Sequence, residues 1–552
     1  MHSNGSGQKE IGSYYTPQLL ADFMVYHLFD KAHYHLPDEV RILEPSVGDG
    51  VFVEAMFNNQ NFKGRIQTPV KINLLAVERD SGEIAKAELN AATIVARPNR
   101  AQFVHDDYLN FHTSGEEKFD LIIGNPPYIK SNHLDDDQLE KCIAIHKQSN
   151  LSSKKIKNIW TSFLIGGVQA LSDDGVLAFV LPAELLQVIY AKEIRDLLRD
   201  SFNKIEIFTF NELIFTDIEQ DVIVLICAKK QEKGVSFYHV DKLEQLKKPE
   251  FFRDNSNVHR ETLDKWTNYI LSDGDLAFLD GLKEKMKLRT VRSYCDSITG
   301  IVTAANDYLI TDQATVDEYG MQSIATPILK KGAPSTARLT SDDLNKMNQS
   351  GLPTSFLAFE DAPSGDFPDG FKAYLQIGVS RQINQRYKMK LRNNWYAVPS
   401  VWVSEGFFTK RSNIFPRVIV NEAKILVTDS FYRISMKEGL SIYDLSFSFH
   451  NTLSFIYAEL EGRYYGGSVL ELTPNEFKNL YTPYVEKVSK SSFAELDKIL
   501  RGRPRVSNVL DYTDEVILKQ HYNLANHEVS RLRKIYHSLV IRRLKGSSAK
   551  LF

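Results

Sequence analysis

Cysteines, long apolar runs and an apolar leader are what this sequence has little of or lacks. Only three of its 552 residues are cysteines (Cys142, Cys227 and Cys295), and they are far apart. This usage indicates a reducing cytoplasm and argues against a disulfide framework or a cysteine zinc site. No apolar run reaches the roughly 20 residues of a membrane span, and residues 1–9 are polar. We therefore expect a cytoplasmic protein with no membrane partner.

Charge is divided unevenly along the chain, although its net value is only −3. Residues 1–230 carry 23 Lys and Arg against 32 Asp and Glu, whereas residues 231–552 carry 44 against 38. The length exceeds that of one typical domain, and 43% apolar residues are enough for real cores. The sequence therefore predicts an acidic first part and a basic second part, each with its own core.

Strand-like and helix-like segments alternate through the first 230 residues. Apolar runs predict strands at Arg41–Glu44, Lys71–Val77, Gln102–Val104, Phe119–Ile123, Gly175–Leu181, Lys204–Phe208 and Asp221–Ala228. Helical spacing predicts helices at Gly50–Phe57, Gly82–Val95, Trp160–Leu171 and Glu184–Arg199. This alternation is typical of an α/β fold with a parallel, doubly wound, Rossmann-like sheet. Residues 130–157 are polar and weakly patterned, so we expect a mobile flap there.

Polar side chains follow four of these predicted strands, namely Glu44, Glu78, Asp107 and Asn125. Any one acidic residue in such a place can be only a helix cap. The carboxyl ends of parallel strands, however, meet at one edge of a sheet, where ligands bind. A carboxylate after the second strand is the usual partner of ribose hydroxyls. One after the third could accept a hydrogen bond from an exocyclic amino group.

The loop Asn125-Pro126-Pro127-Tyr128 closes the fourth strand. Two prolines fix two φ angles and remove two backbone donors, so the loop is stiff and extended. It carries an amide beside a flat aromatic ring, which suits a planar group with an amino substituent, such as a nucleobase. The turn Glu44-Pro45-Ser46-Val47-Gly48-Asp49-Gly50 allows close backbone approach, but it differs from the G-x-G-x-x-G turn of dinucleotide folds.

The order of these motifs resembles that of the S-adenosylmethionine-dependent γ-class DNA adenine-N6 methyltransferases, most closely over residues 11–230. Gly12–Pro17, which includes Tyr15 and Thr16, looks like the class's motif for the methionine moiety. The resemblance implies a second methionine motif at Glu44, Pro45, Ser46, Gly48 and Gly50. It further implies that Glu78 binds the cofactor ribose and Asp107 its adenine. Asp107 is preferred to Asp106 because Asp-Tyr-Leu matches the family's usual Asp-Phe-Leu.

The same resemblance implies a catalytic role for Asn125, Pro126, Pro127 and Tyr128, with Asn125 also beside the cofactor. The Asn125 side chain and the Pro126 carbonyl would accept hydrogen bonds from the amino group of a flipped adenine. Tyr128 would stack on that base and Phe215 would hold its other face or edge. The cofactor carries an activated methyl group, so the resemblance implies no metal.

The C-terminal half has short strand-like runs and a basic strip interleaved with aromatic residues. Within 375–425 we find nine Lys and Arg against Glu405 and Glu422. Such an excess suits phosphate neutralisation, although a solvated face has the same composition. The DNA-binding candidates are Arg381, Gln382, Lys388 and Arg411. The resemblance divides the chain into a catalytic domain (1–235), an α+β target-recognition domain (236–490) and a helical C-terminal segment (491–552).

The favoured function is therefore methylation of adenine N6 in double-stranded DNA, within a restriction or phage-defence system. A cognate restriction endonuclease encoded separately is an expected partner, and the chain is expected to be a monomer or weak dimer. Two alternatives stay open: methylation of rRNA adenine or protein glutamine, and a DNA-binding defence subunit that needs a partner. Glu422-Ala423-Lys424 matches the end of a nuclease pattern, but the nearest upstream aspartate is Asp369, so nuclease activity is not expected.

Overall fold

The computed structural model describes residues 14–30, 33–66, 71–212, 214–215, 221–248, 257–259, 266–332, 334–465 and 469–544. Its contacts divide the chain into two units, Met1–Leu276 and Ala277–Phe552. Among the described residues, no helix is both long and apolar enough to cross a membrane.

The N-terminal unit is built on one large sheet. Its described strands are β1 Glu39–Glu44, β2 Lys71–Glu78, β3 Arg100–His105, β4 Phe119–Gly124, β5 Leu171–Pro182, β6 Lys204–Phe210, β7 Val222–Ala228, β8 Gly234–Val240 and β9 Asn257–His259. They lie in the order β3-β2-β1-β4-β5-β7-β6-β8-β9. The first five strands in this order pair in parallel, which brings the ends of β1, β2, β3 and β4 to one edge.

Helices cover both faces of this sheet. They are α1 Gln18–Phe29, α2 Val51–Phe57, α3 Ser81–Ile94, α4 Tyr108–Ser114, α5 Asp136–Gln148, α6 Trp160–Ala170 and α7 Lys192–Ser201. Successive residues of β4 alternate between two apolar cores: Leu121 and Ile123 pack in the core that contains α1, and Ile122 in the core that contains α6. This period of two buries both faces, as a doubly wound α/β sheet requires.

The expectation of an all-parallel sheet is wrong at β7, which runs antiparallel to both β5 and β6. The chain between Phe210 and Val222 is too short for a helical crossover, which parallel neighbours need. β8 pairs in parallel with β6, and β9 pairs antiparallel with β8. The sheet therefore extends past the expected domain boundary at residue 235, and the division by contacts falls after Leu276. The three-part division of the chain stays a prediction.

Two predicted segments have a different local structure. The helix expected at 184–199 is α7 only, and it is preceded by 3-10 turns at Ala183–Leu186 and Ile189–Ala191. The buried Arg195 guanidinium, which donates to the carbonyls of Leu185 and Val188, holds this irregular stretch. The expected flap is folded around α5, which Asp135 caps and which buries Cys142 and Ile145.

The C-terminal unit has several small sheets rather than one large one. Its described strands are β10 Arg289–Thr290, β11 Cys295–Thr299, β12 Ile310–Thr311, β13 Ala325–Leu329, β14 Arg338–Leu339, β15 Ser355–Leu357, β16 Gly406–Thr409, β17 Arg411–Ser412, β18 Val418–Asn421, β19 Leu426–Val427, β20 Phe431–Met436, β21 Arg463–Tyr465, β22 Val469–Glu471 and β23 Tyr481–Thr482. The five-stranded sheet β11-β20-β16-β18-β14 is the largest. The others are β12-β15-β13-β19, β17-β22-β21 and β10-β23.

Helices surround these sheets, which confirms the expected mixture of helices and strands. They are α8 Asp273–Lys285, α9 Gln313–Glu318, α10 Ser341–Gln349, α11 Asp369–Ser380, α12 Tyr387–Lys390, α13 Ile442–Phe449, α14 Thr452–Glu461, α15 Pro474–Asn479, α16 Lys490–Arg501, α17 Val506–Thr513 and α18 Asn526–Leu544. A π-helix at Asp514–His521 follows α17 directly.

The end of α18 is anchored in the unit by a buried ion pair. Arg543 and Glu459 are 0% and 1% exposed, and their side chains lie 2.8 Å apart. The Arg543 guanidinium also donates to the carbonyls of Asn413 and Ile414. Although Arg543 stands in a basic stretch near the end of the chain, it is therefore neither solvated nor available for a phosphate.

Candidate active site

A cavity of about 630 Å³ opens at the carboxyl edge of the N-terminal sheet. The expected site residues that line it are Tyr15, Thr16, Glu44, Pro45, Ser46, Gly48, Glu78, Asp107, Asn125 and Pro127. The chain reaches it from the ends of β1, β2, β3 and β4 and from the segment before α1. The polar strand ends identified in the sequence therefore surround one cavity, as their common sheet edge predicts.

Glu78 holds the glycine turn beside it. One carboxylate oxygen accepts from the backbone N–H of Gly48 at 2.9 Å, and the other accepts from Arg79 and Asp80, both at 2.9 Å. Gly48 has a φ of +54°, and an added Cβ there would meet no atom within 4 Å, so the backbone is open to the cavity. Three backbone donors thus fix the carboxylate at the end of β2.

Glu44 is a buried carboxyl without a partner. The residue is 0% exposed, and neither oxygen has a hydrogen bond within the described part of the chain. Burial raises the pKa of this carboxyl well above its usual value, and the negative charges of Glu78 and Asp49 raise it further. An unsatisfied buried polar group is unfavourable, which makes Glu44 a natural acceptor for a donor-rich ligand in the cavity.

Asp107 has both a structural contact and a contact at the cavity. One oxygen caps α4 by accepting from the Leu109 N–H at 2.9 Å, and the other accepts from Gln138 Nε2 at 2.8 Å. Asp106 instead accepts from Asn110 and from the Asp107 backbone, and it does not line the cavity. The choice of Asp107 over Asp106 therefore agrees with the geometry.

Asn125 takes part in three hydrogen bonds, two through its side-chain amide and one through its backbone carbonyl. Its Nδ2 donates to the carbonyl of Tyr14 at 2.9 Å, and its Oδ1 accepts from the Tyr128 hydroxyl at 2.9 Å. The Ser46 hydroxyl donates to its backbone carbonyl at 3.1 Å. These bonds tie the Asn125 loop to the turn after β1 and to the segment before α1.

Three aromatic rings pack together behind this loop. The ring centroid of Tyr14 lies 6.0 Å from that of Tyr128 and 5.8 Å from that of Phe215. Tyr128 and Phe215 are 6.4 Å apart and nearly perpendicular. A base between two parallel rings needs centroids about 7 Å apart, twice a carbon contact distance. The cluster is therefore closed, with Tyr14 filling the space beside the other two rings.

Four expected site residues do not line the cavity: Gly50, Pro126, Tyr128 and Phe215. Gly50 precedes α2 with a φ of +92°. A Cβ at this position would lie only 3.2 Å from Ala87 on α3, so glycine allows α2 to pack closely against α3. Pro126 and Tyr128 belong to the Asn125 loop without lining the cavity, and the Phe215 ring contacts that of Tyr128.

Two protein-family models match the chain that forms this cavity. The family model of the Eco57I restriction-modification methylases matches residues 58–215. The model of the C-terminal domain of the type II methyltransferase M.Eco57I matches residues 263–518. The two matches together cover well over half of the sequence. The chain belongs to the DNA methyltransferases of restriction-modification systems.

Two relatives resemble the methyltransferase along most of its length, and a third resembles about a third of it. The type II methyltransferase M.AccI of Acinetobacter calcoaceticus is 25% identical, over 79% of each chain. M.BanIII of Aneurinibacillus aneurinilyticus is 23% identical over 72% of this chain and 75% of its own. RM.Eco57I of Escherichia coli, a restriction enzyme and methyltransferase, is 26% identical over 35% of this chain and 19% of its own.

Two solved structures share the fold. The type IIL restriction-modification enzyme MmeI in complex with DNA has a TM-score of 0.56, with 12% identity over 95% of this chain and 76% of its own. The DrdV–DNA complex has a TM-score of 0.53, with 14% identity over 90% of this chain and 58% of its own. At these identities the likeness concerns the fold.

Several residues around the methyltransferase cavity escaped sequence reasoning: Tyr14, Asp49, Glu83, His133, Asp135 and Gln138. Tyr14 and Asp49 lie inside the motifs Gly12–Pro17 and Glu44–Gly50, but they were not predicted as site residues. His133, Asp135 and Gln138 belong to the segment taken for a flap. Asp135 accepts from the Gln138 N–H, an N-cap that the sequence pattern could have revealed. Burial and the Glu83 charge raise the pKa of Asp49.

The basic strip of the C-terminal unit is less continuous than its sequence suggests. Arg381, Gln382 and Lys388 are exposed, and the side chain of Arg411 is 66% exposed while paired with Glu471. Of the six interleaved aromatic residues, Tyr396, Phe407 and Phe408 are buried in the core and only Tyr387 is largely exposed. The three buried residues are therefore not available for nucleic-acid contact.

Proposed function

We propose that this methyltransferase transfers the methyl group of S-adenosylmethionine to the N6 amino group of adenine in duplex DNA. The observation that carries the proposal is the position of Asn125. It ends β4 on the wall of the same cavity that Glu44, Glu78 and Asp107 line. The Asn125 amide and three carboxyl groups therefore line one cavity. Each carboxyl group can accept a hydrogen bond from a different part of the cofactor.

The hydrogen-bond acceptors that line the cavity fit S-adenosylmethionine. Glu44 would accept from the amino group of the methionine moiety, which supplies the partner that this carboxyl lacks. A carboxylate has about four acceptor positions, and the three N–H groups on Glu78 leave room for a ribose hydroxyl. Asp107 would accept from the adenine amino group beside its bond from Gln138. When bound, the cofactor supplies a methyl group already activated as a sulfonium.

The chemistry required of the protein is positioning of a poor nucleophile. The lone pair of adenine N6 is delocalised into the ring, and hydrogen bonds to Asn125 Oδ1 and the Pro126 carbonyl would draw the amino group toward tetrahedral geometry. Asn125 Oδ1 accepts from the Tyr128 hydroxyl, and its second acceptor position would receive the incoming amino group. The bond from Asn125 Nδ2 to Tyr14 would keep the amide in the required orientation.

The base site requires rearrangement of the aromatic cluster. A flipped adenine would stack on Tyr128, with Phe215 on its other face or edge, and its entry must separate rings that now lie 5.8 to 6.4 Å apart. Tyr14 is the ring that would have to move, because the other two are the proposed base contacts and it fills the space beside them. Asn125, Pro126, Pro127 and Tyr128 are accordingly the proposed catalytic loop, and Tyr128 and Phe215 the proposed base contacts.

DNA contact in the C-terminal unit is assigned to Arg381, Gln382, Lys388 and Arg411. All four are exposed in the structure. Arg and Gln can reach base edges, whereas Lys388 suits a phosphate oxygen. We also propose a separately encoded restriction endonuclease as the functional partner, and a monomeric or weakly dimeric state in solution.

One assay tests the proposal directly. The purified chain is incubated with methyl-labelled S-adenosylmethionine and with duplex DNA, RNA or protein in parallel. We expect label in DNA alone, and digestion to nucleosides should yield N6-methyladenine. Label in RNA or in protein glutamine would support the alternative acceptors instead. No transfer to DNA without a second protein would support a subunit that depends on a partner.

A further inference from the structure

A second cavity, of about 860 Å³, lies within the C-terminal unit. Its walls come from the residues around β17, from the loop after β13 and from the turn after α16. Thr409, Ser412, Ser430 and Asn413 supply polar groups, while Ile414, Phe415 and Phe431 supply apolar surface. The catalytic loop does not contribute to this cavity, and no residue of it was chosen from the sequence except Arg411.

The charge of this cavity is strongly positive. Five cationic side chains line it, namely Lys331, Lys410, Arg411, Arg417 and Arg503, against the single carboxylate of Asp429. Glu471, just outside the lining, pairs with Lys410 at 3.4 Å and with Arg411. Even with both carboxylates counted, the cations are in excess, and a concave basic surface concentrates anions.

Two of the cations have no internal partner. The side chains of Lys331 and Arg503 make no hydrogen bond or ion pair within the described part of the chain, and both residues are exposed. They come from segments more than 170 residues apart in the sequence. The fold therefore brings two charges to one cavity, and among the described residues neither of them forms an ion pair with a carboxylate. A structural role in an ion pair does not account for them.

The walls between these charges are rigid. Arg417 is largely buried beneath the cavity and donates to the carbonyl of Pro334. Burial lowers the pKa of Arg417 to about 10, which leaves it charged at neutral pH. The carbonyls of Asn413 and Ile414 accept from the buried Arg543, at 2.7 and 3.0 Å. The cavity is thus built on a fixed frame rather than on mobile side chains alone.

We propose that this cavity binds the phosphodiester backbone of duplex DNA. The inference rests on the proposed function, which makes duplex DNA the substrate. Lys331 and Arg503 would contact phosphate oxygens. Contacts of this kind hold the position of the duplex without selecting its sequence. The cavity therefore contributes affinity, and base recognition belongs to other residues.

The test measures how duplex binding depends on salt. Fluorescence anisotropy gives the affinity of the full chain for two unrelated labelled duplexes at several salt concentrations. The variants are Lys331→Ala, Arg503→Ala and the double variant. Each lost phosphate contact should lower the slope of log K against log salt by about 1, and the double variant by about 2. Binding should weaken by the same factor on both duplexes.

Lys498→Ala is the matched control. Lys498 is a 77% exposed lysine on α16 that pairs with Glu495 and does not line the cavity. We expect this variant to bind duplexes with the slope of the original chain. Equal slopes for Lys498→Ala, the double variant and the original chain would overturn the proposal. A loss confined to one duplex would also overturn it, because it would indicate base recognition.

A small-anion site is the remaining outcome to separate. Inorganic phosphate that raises the melting temperature of the original chain but not of the double variant, with unchanged duplex slopes, would overturn DNA as the ligand. Methyl transfer to DNA is measured with the original chain in parallel. Transfer with unchanged slopes rejects this inference alone, whereas a chain that neither methylates nor binds duplexes rejects the proposed function as well.

Discussion

The hydroxyl of Tyr128 donates a hydrogen bond to the side-chain oxygen of Asn125 at 2.9 Å. The two residues are three positions apart in the loop that closes β4, and both are assigned to the target base. Stacking of a base on the Tyr128 ring, as proposed, would move its hydroxyl away from Asn125 and break this bond.

Changes at Tyr128 separate its hydroxyl from its ring. Tyr128→Phe removes a bond worth about 0.5–1.5 kcal/mol that base entry must break. We expect its KM for DNA to fall about two- to tenfold with little change in kcat. Tyr128→Ala also loses stacking worth about 1–3 kcal/mol, so kcat/KM should fall by about 5- to 100-fold. Steady-state methylation of duplex DNA measures both, and equal damage from the two changes would contradict this assignment.

Asn125→Ala should abolish methyl transfer and leave cofactor binding largely intact. The substitution removes the acceptor for the amino group but none of the carboxyl groups around the cofactor site. Turnover is measured with labelled cofactor, and cofactor affinity by isothermal titration calorimetry. Circular dichroism serves as the control for folding. Loss of cofactor affinity in a well-folded variant would count against the role given to Asn125.

Glu44→Gln should stabilise the free chain at neutral pH and weaken cofactor binding. Burial raises the pKa of Glu44 well above the ordinary carboxyl value of 4.5. A raised carboxyl pKa means that its contribution to stability is full below pH 4.5 and is lost as pH rises through the raised value. The variant should lack this loss, so its melting temperature should fall less than that of the original chain between about pH 5 and 8.

The control for that experiment is the cofactor itself. Bound cofactor would satisfy the Glu44 carboxylate, so it should stabilise the original chain more than Glu44→Gln at neutral pH. Thermal melts with and without S-adenosylmethionine measure this difference. Equal stabilisation of the two proteins would remove Glu44 from the cofactor site.

Arg543→Ala should destabilise the C-terminal unit by about 3–5 kcal/mol, because it leaves Glu459 buried without its counter-charge. Urea denaturation measures the free energy of unfolding. Lys534→Ala, on the exposed side of the same helix, is the matched control and should change it by less than about 0.5 kcal/mol. A small effect of Arg543→Ala would mean that the pair is not shielded from water.

The α/β class, the strands β1 to β4 and the polar residues at their ends could all be predicted from the amino-acid sequence. Those features follow from local patterns: apolar runs of strand length, and polar or proline-rich segments at their ends. Parallel pairing then places Glu44, Glu78, Asp107 and Asn125 at the same edge of the sheet, although they are far apart in the sequence. The motif around Asn125 also indicated the family that the comparisons support.

The hydrogen-bond partners of those side chains could be read only from the folded chain. Local sequence patterns do not give the distances between segments that are far apart along the chain. Such distances determine the hydrogen bond from Tyr128 to Asn125, the lack of a partner for Glu44 and the packing of Tyr14 against the other two rings. The antiparallel direction of β7 depends on its neighbours in the sheet. Arg543 and Lys331 are both basic residues in polar stretches, yet one is buried against Glu459 and the other faces a cavity. Burial is a property of the packed chain, and local composition does not contain it.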